Sequence, residues 1–232
     1  IGKRVLKVFV FKVLDNALGA IGEHLVTRWE RKHRPPVLHV VTKKYLSGES
    51  PEWHPDSWDL LASGHSLLLL HGTMSRARSG FGSEQAPVLK DLISMYHGRV
   101  FAFDHPTLSV SPLVNARQFA QLLPKRRTFR ISILAHSRGG LVGRVLCEQP
   151  GLAGLPDGRL RVERLVMVAT PNSGTPLADL NNIGTLIDTL TNILEHAPDN
   201  VLTDTLEVLL TLVQQIAVGV SRNLDGLAAM RP

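Results

Sequence analysis

Short apolar segments alternate with helix-forming segments along the middle of the chain, and this alternation is the strongest constraint on its fold. The apolar segments are continuous rather than alternating, which is typical of parallel strands covered on both faces. The pattern predicts an α/β domain with a mostly parallel sheet between two helical layers. The predicted strands are 5–14, 36–41, 66–71, 99–104, 130–136 and 161–170, and the predicted helices are 15–34, 86–97, 114–123 and 139–149.

The remaining segments are expected to belong to the same unit. The 232 residues are 44% hydrophobic and 20% charged, which predicts a single globular domain over residues 1–232. Residues 47–64 are rich in Pro, Ser, Gly and Trp and are predicted to form a long loop, with Trp53 and Trp58 covering the core. Residues 177–230 combine Leu, Ile, Val and Thr with few basic residues, which predicts a lid-like amphipathic helical segment.

The chain is basic, with a formal net charge of +6, and part of the excess positive charge lies in residues 125–127. Such a cluster can meet nucleic acid or an anionic membrane surface. No nucleic-acid-binding motif and no interleaved aromatic residues accompany it, so a solvated basic face is favoured and no nucleic-acid partner is expected.

Cys147 is the single cysteine of the chain. It excludes an intrachain disulfide and a cysteine-based zinc site, and it indicates a reducing compartment, so a cytoplasmic location is expected. No motif requires a metal or cofactor, and neither is expected. Lys7 and Lys12 interrupt the apolar residues 5–14, so no signal peptide is predicted. No apolar run is long enough for a transmembrane segment.

The segment "ILAHSRGGLVGR", residues 133–144, places Ser137 where a predicted strand gives way to a predicted helix. A nucleophilic serine at such a turn needs small residues two positions before and after it, and Ala135 and Gly139 satisfy that need. The helix would direct its first N–H groups toward the serine oxygen, where negative charge develops during acyl transfer. The alternative is an ordinary helix N-cap serine.

A second motif is His71-Gly72, at the end of the apolar strand 66–71. Gly72 allows close backbone approach, so the N–H of Thr73 or of Met74 can point at a substrate oxygen. With the N–H of Arg138, it would form the two-donor oxyanion hole that acyl transfer requires. His71 itself is interpreted as a structural residue at the strand end rather than as the general base.

A third motif, "VATPNSGTPLA" at residues 168–178, ends the last predicted strand in a loop of Pro, Asn and Gly. The strand-HG motif, the serine turn and this loop, in this order, resemble the bacterial lipase and esterase branch of the α/β-hydrolase superfamily. The resemblance covers residues 67–178 and looks closest to an uncharacterised lipase-like domain of bacterial multidomain proteins. Ala135 stands where the commonest pattern of the superfamily has Gly.

The resemblance implies a three-layer α/β-hydrolase fold with a helical lid. It implies that Ser137 is the nucleophile and that the backbone N–H groups of Thr73 and Arg138 stabilise the oxyanion. His71, Gly72, Met74 and His136 would then surround the substrate. These are the candidate site residues of the chain.

The acid and base of such an enzyme follow the nucleophile in the order Ser, Asp or Glu, His. The histidine that follows Ser137 is His196, within the lid-like segment, and Asp179 is a candidate for the acid. We therefore expect both groups beyond Pro232, on later strands absent from a chain that is cut at its C-terminal side. Asp104 and His105 end the fourth predicted strand at the same sheet edge and are expected to fix a loop.

The expected function is that of a serine esterase or lipase-like hydrolase, acting on an ester or lipid-like small molecule through an acyl-enzyme. The alternative is a non-catalytic α/β-hydrolase-fold module that binds a lipid or protein partner in a longer polypeptide. Further domains of such a polypeptide are candidate partners in either case.

Overall fold

The structure is a computed structural model, and it describes residues 27–28, 30–47, 53, 56–81, 87–175 and 225–230. The described strands are β1 Val37–Val40, β2 His65–Leu70, β3 Val100–Asp104, β4 Phe129–His136 and β5 Leu160–Val168. The described helices are α1 Lys43–Ser47, α2 Ser57–Ala62, α3 Ala77–Phe81, α4 Pro87–Met95, α5 Pro112–Leu122, α6 Gly139–Glu148 and α7 Asp225–Ala228, with a 3₁₀ turn at Pro150–Ala153.

The five strands form one sheet in the order β1-β3-β2-β4-β5. β1 runs antiparallel to β3, and the other neighbouring strands are parallel. The predicted α/β class with a mostly parallel sheet is confirmed. Because β2 and β4 are parallel neighbours, the residues that follow them emerge side by side at the same sheet edge.

Helices pack on both faces of this sheet. Successive strand side chains point to opposite faces, so Leu68 and Leu70 enter one buried cluster while Leu67 and Leu69 enter the other. The first cluster is completed by α2, α5 and α6, through Leu61, Phe119 and Val142 among others. The second is completed by α1, α3 and α4, through Tyr45, Ala77 and Leu89.

The predicted loop 47–64 is wrong in its second half, where α2 forms. Leu61 of that helix is completely buried, and Trp58 packs edge-on against Phe129 with 5.6 Å between ring centroids. The Pro, Ser and Gly content predicted a loop, but burial of one helix face against the sheet stabilises the helix. Trp53 and Trp58 pack against the first buried cluster, so their predicted position over the core is confirmed.

Several predicted elements lie outside the described residues. They include the strand 5–14, most of the helix 15–34 and the lid-like segment up to residue 224, together with Asp179 and His196. Among the helices that the structure describes, none is long and apolar enough to cross a membrane.

Candidate active site

Ser137 lies in a left-handed turn between β4 and α6, with φ +52°. Its N–H donates to the carbonyl of Val168 at 2.8 Å, and its own carbonyl accepts from Gly140 N–H at 3.0 Å. A positive φ is uncommon outside glycine and costs about 1–3 kcal/mol. The predicted tight turn is therefore confirmed. The residue directly before α6 is Arg138, so Ser137 is not the helix N-cap.

Two glycines let the first turn of α6 dock against neighbouring strands. A Cβ on Gly139 would lie 2.5 Å from the carbonyl oxygen of Leu70 and 2.6 Å from that of His71, closer than real Cβ atoms approach. A Cβ on Gly140 would overlap the hydroxyl of Thr170, in the loop that follows β5. The third sequence motif is thus brought beside the serine turn.

Gly72 brings the His71-Gly72 motif into contact with the same turn. A Cβ at this position would lie 2.8 Å from Ser137 Cβ and 3.2 Å from His136 Nδ1. This close approach requires glycine, as the sequence indicated. Gly72, His136 and Ser137 are therefore neighbours across the β2–β4 pair.

The two alternative oxyanion donors differ in their hydrogen bonds. Met74 has φ +55°, and its N–H donates to Thr107 Oγ1 at 3.0 Å. The N–H groups of Thr73 and Arg138 meet no acceptor within the described part of the chain. The backbone N–H groups of Thr73 and Arg138 are therefore available to an oxyanion, whereas the Met74 N–H is already hydrogen-bonded to Thr107.

The side chain of Arg138 is completely buried and holds one wall of the site. Its guanidinium donates to Asn115 Oδ1 at 2.8 Å, to Gly226 O at 3.3 Å and to the carbonyl of Val110. Burial lowers the pKa of Arg138 to about 10, so the group stays charged at neutral pH. The side chain thus ties the serine turn to the loop before α5, to α5 itself and to residue 226.

His71 is buried at 1% exposure and is fully hydrogen-bonded. Its Nδ1 donates to the carbonyl of Gly72 at 2.9 Å, and its Nε2 accepts from His105 N–H at 3.1 Å. Burial lowers the pKa of His71, which favours this neutral form. Both ring nitrogens are therefore engaged, and the His71 ring holds the Gly72 carbonyl and the backbone of His105.

Asp104 fixes the neighbouring loop rather than facing Ser137. Its carboxylate accepts from Ala77 N–H at 2.7 Å and lies 3.4 Å from His39 Nε2. Burial raises the pKa of this carboxyl, but the hydrogen bond with His39, the electrostatic interaction with His71 and the hydrogen bond from Ala77 N–H outweigh it, so the pKa lies below its ordinary value. His105 stacks on His71 at 4.2 Å between ring centroids, which completes the predicted loop-fixing pair.

Glu30 is a buried anchor that the sequence analysis missed. One carboxylate oxygen accepts from Thr107 N–H at 2.7 Å and Leu108 N–H at 3.0 Å. The other accepts from the N–H and the hydroxyl of Ser109, at 2.8 and 2.6 Å. The carboxylate holds the loop whose Thr107 hydroxyl binds Met74 N–H. No local pattern in the sequence distinguishes Glu30 from a solvated helix residue.

The apolar wall beside Thr73 is a small cluster around Met230. Thr73 Oγ1 lies 3.4 Å from Met230 Sδ, and the carbonyl of Met230 accepts from Thr175 N–H at 2.7 Å. Met230 is buried and packs in a cluster with Leu108, against which Met74 and Leu141 also lie. The free donors at the turn are therefore bordered by apolar side chains.

The structure does not bring a base to Ser137 within the residues it describes. No histidine or carboxylate in those ranges hydrogen-bonds to Ser137 Oγ, and His196 and Asp179 lie outside them. The described ranges also contain no group of three or more side chains that could hold a metal ion.

Comparison with known proteins places the chain in a family by its sequence. No curated protein matches it. A family model described as a domain of unknown function, DUF7379, matches residues 33–232, which include every strand of the described sheet. The chain therefore belongs to the DUF7379 family.

Proposed function

We propose that the protein is a serine hydrolase of the α/β-hydrolase type that acts on carboxylic esters, with Ser137 as its nucleophile. The observation that carries the proposal is the left-handed backbone of Ser137 between β4 and α6. Such a turn presents the serine hydroxyl at the start of a helix, where the helix dipole favours negative charge. Strained backbone of this kind clusters at active sites, which supports a catalytic role for Ser137.

In the proposed reaction, Ser137 Oγ attacks the carbonyl carbon of the ester, and its proton passes to a base. The N–H groups of Thr73 and Arg138 would stabilise the oxyanion of the tetrahedral intermediate. Collapse of the intermediate releases the alcohol, which takes up the proton, and leaves an acyl-enzyme on Ser137. Water then attacks the acyl group and releases the carboxylic acid together with the free serine.

The proposal requires a base that the described residues do not provide. Without one, a serine hydroxyl stays protonated near neutral pH and is a poor nucleophile. His196 lies outside the described residues and remains a candidate. A test of activity therefore requires the intact native protein.

The apolar wall beside Thr73 supports an ester with an apolar acyl part. The acyl part would lie against Met74 and Leu141, the partly buried side chains of this cluster. Burying the acyl chain against them is worth about 0.8 kcal/mol for each methylene group. A lipid-like ester is therefore the proposed substrate class.

The direct test is labelling with a fluorophosphonate probe, which reacts with activated serines. We expect the intact protein to be labelled and the Ser137→Ala variant to remain unlabelled. Ser94→Ala, which changes an exposed serine of α4, is the matched control and should label like the unmodified protein. Labelling of the Ser137→Ala variant would show that another residue reacts with the probe. Absence of labelling of the intact protein would contradict the hydrolase proposal.

A second variant tests the oxyanion hole. Gly72→Ala would push residues 72–74 away from Ser137, because its Cβ would lie 2.8 Å from Ser137 Cβ. Losing one oxyanion donor costs about 10²–10³ in rate, so we expect labelling to slow by roughly that factor. Gly151→Ala is the control, since a Cβ there has nothing within 4 Å among the described residues. Equal labelling rates for the two variants would argue against Thr73 as a donor.

The alternative is a non-catalytic module that binds an apolar ligand or partner at the same place. It is favoured by one observation, namely that no described side chain hydrogen-bonds to Ser137 Oγ. The two functions separate in the labelling test. A module without catalysis leaves Ser137 unlabelled in the intact protein while that protein still binds a lipid-like ester.

A further inference from the structure

A second concave site lies between the end of α5 and the 3₁₀ turn Pro150–Ala153. Its volume is about 550 Å³, and we call it the basic groove. The residues that define its character are Arg117, Lys125, Arg159, Leu123 and Leu152. No carboxylate lines it among the residues that the structure describes. The groove therefore combines positive charge with apolar surface.

The two guanidinium groups of the groove are held in place by neutral partners. Arg117 Nε donates to the carbonyl of Leu152 at 2.9 Å, and Arg159 Nη2 donates to that of Leu123 at 2.8 Å. Each contact uses one N–H of its guanidinium, and no carboxylate forms an ion pair with either arginine among the described residues. The planar fork of an arginine matches carboxylate and phosphate oxygens, so an anion is the ligand that these groups favour.

The apolar part of the groove lies next to these cations. Leu152 and Leu123 both line the groove, and Leu152 is 51% exposed whereas Leu123 is buried. Exposed leucine beside arginine gains free energy when an apolar chain covers it. The groove volume lies within the range of about 300–1,000 Å³ that is typical of small-molecule sites.

The basic groove is separate from the candidate active site. Arg159 directly precedes β5, and Lys125 lies between α5 and β4, so the groove is at the edge where these strands begin. Ser137 follows the other end of β4, a strand of 8 residues. At a rise of roughly 3.3 Å per residue, the two sites lie about 25 Å apart.

We propose that the basic groove binds a small amphiphilic organic anion, with a phosphate or carboxylate head group on Arg117, Lys125 and Arg159. The apolar chain of the ligand lies over Leu152 and Leu123. This is a binding function independent of the hydrolase proposed above. It also gives a specific role to Lys125, which belongs to the basic cluster that the sequence analysis interpreted as a solvated face.

The test is isothermal titration calorimetry of the intact protein with octyl phosphate. We expect saturable binding of one ligand per chain, at least tenfold tighter than the binding of inorganic phosphate, which lacks the apolar chain. Octyl glucoside has the same chain with a neutral head group and should not bind measurably. Vesicles of phosphatidylglycerol give the comparison with an anionic membrane surface and should bind no more tightly than neutral vesicles.

Variants locate the site. The double variant Arg117→Gln, Lys125→Gln should weaken octyl phosphate binding at least tenfold. Lys125→Gln alone changes an exposed side chain, keeps both guanidinium contacts and should weaken binding severalfold. Arg161→Gln removes an exposed cation of β5 outside the groove and should leave the affinity unchanged.

Four results would overturn the proposal: no binding of octyl phosphate, equal binding by the double variant, equal binding of octyl glucoside, or equal binding of inorganic phosphate. If the protein binds the anionic vesicles through Arg117 and Lys125 but does not bind octyl phosphate, the groove is a membrane-facing surface instead. None of these results predicts a change in fluorophosphonate labelling of Ser137. Failure of the groove proposal can therefore be distinguished from failure of the hydrolase proposal.

Discussion

Replacement of Gly139 by alanine is expected to lower the free energy of unfolding by about 3 kcal/mol, the upper part of the usual range for overpacking. The new Cβ would lie 2.5 Å from Leu70 O and 2.6 Å from His71 O. Leu70 belongs to β2, which pairs with a strand on each side, so its carbonyl cannot withdraw without breaking the sheet. Denaturant-induced unfolding followed by circular dichroism measures the change.

Gly151→Ala is the matched control for this substitution. A Cβ at Gly151 has nothing within 4 Å among the described residues, and we expect a change of less than about 0.5 kcal/mol. Equal stability of the two variants would contradict the close packing of α6 against the end of β2. The prediction concerns the fold alone and holds whether or not Ser137 is catalytic.

Glu30→Gln is expected to destabilise the protein by about 1–3 kcal/mol, the usual cost of leaving buried hydrogen-bond donors unsatisfied. The Glu30 carboxylate accepts four hydrogen bonds from residues 107–109. An amide in its place turns one acceptor oxygen into an NH₂ group that faces N–H donors. Those donors are then left unsatisfied in a buried environment. Thermal unfolding of the purified variant measures the effect.

Asp91→Asn, an exposed acid of α4, is the control that removes the same charge without a buried contact. We expect its stability to stay within about 0.5 kcal/mol of the unmodified protein. A Glu30→Gln variant as stable as Asp91→Asn would show that the loop 107–109 does not depend on this carboxylate. Loss of stability confined to Glu30→Gln would support the anchor described above.

The secondary structure of the central region was accessible to sequence analysis because its signals are local. The helix predicted at 114–123 is observed at Pro112–Leu122, and the helix predicted at 139–149 is observed at Gly139–Glu148. The apolar strands predicted at 66–71 and 130–136 are observed within a residue of those bounds. Strands buried on both faces must be apolar along their whole length, so the pattern is hard to miss.

The serine turn was also predictable, for a steric reason. A turn this tight tolerates only small neighbours, and that demand appears in the sequence as Ala135 and Gly139 on either side of Ser137. The structure adds that the backbone of Ser137 is left-handed and that Gly72 approaches its Cβ. It also distinguishes Thr73 from Met74, whose N–H is used by Thr107 Oγ1.

The sequence itself thus determined the α/β class, the succession of central strands and helices along the chain, and the turn at Ser137. Each of these depends on residues within a few positions of one another. Only the tertiary structure decided the role of Glu30, whose partners lie 77 to 79 residues away. The same holds for α2, whose helix is stabilised by burial of Leu61 in a core built from distant strands. Such contacts produce no periodic pattern in the sequence. The free energy that maintains them comes from burial and hydrogen bonding between segments that meet only in the folded state.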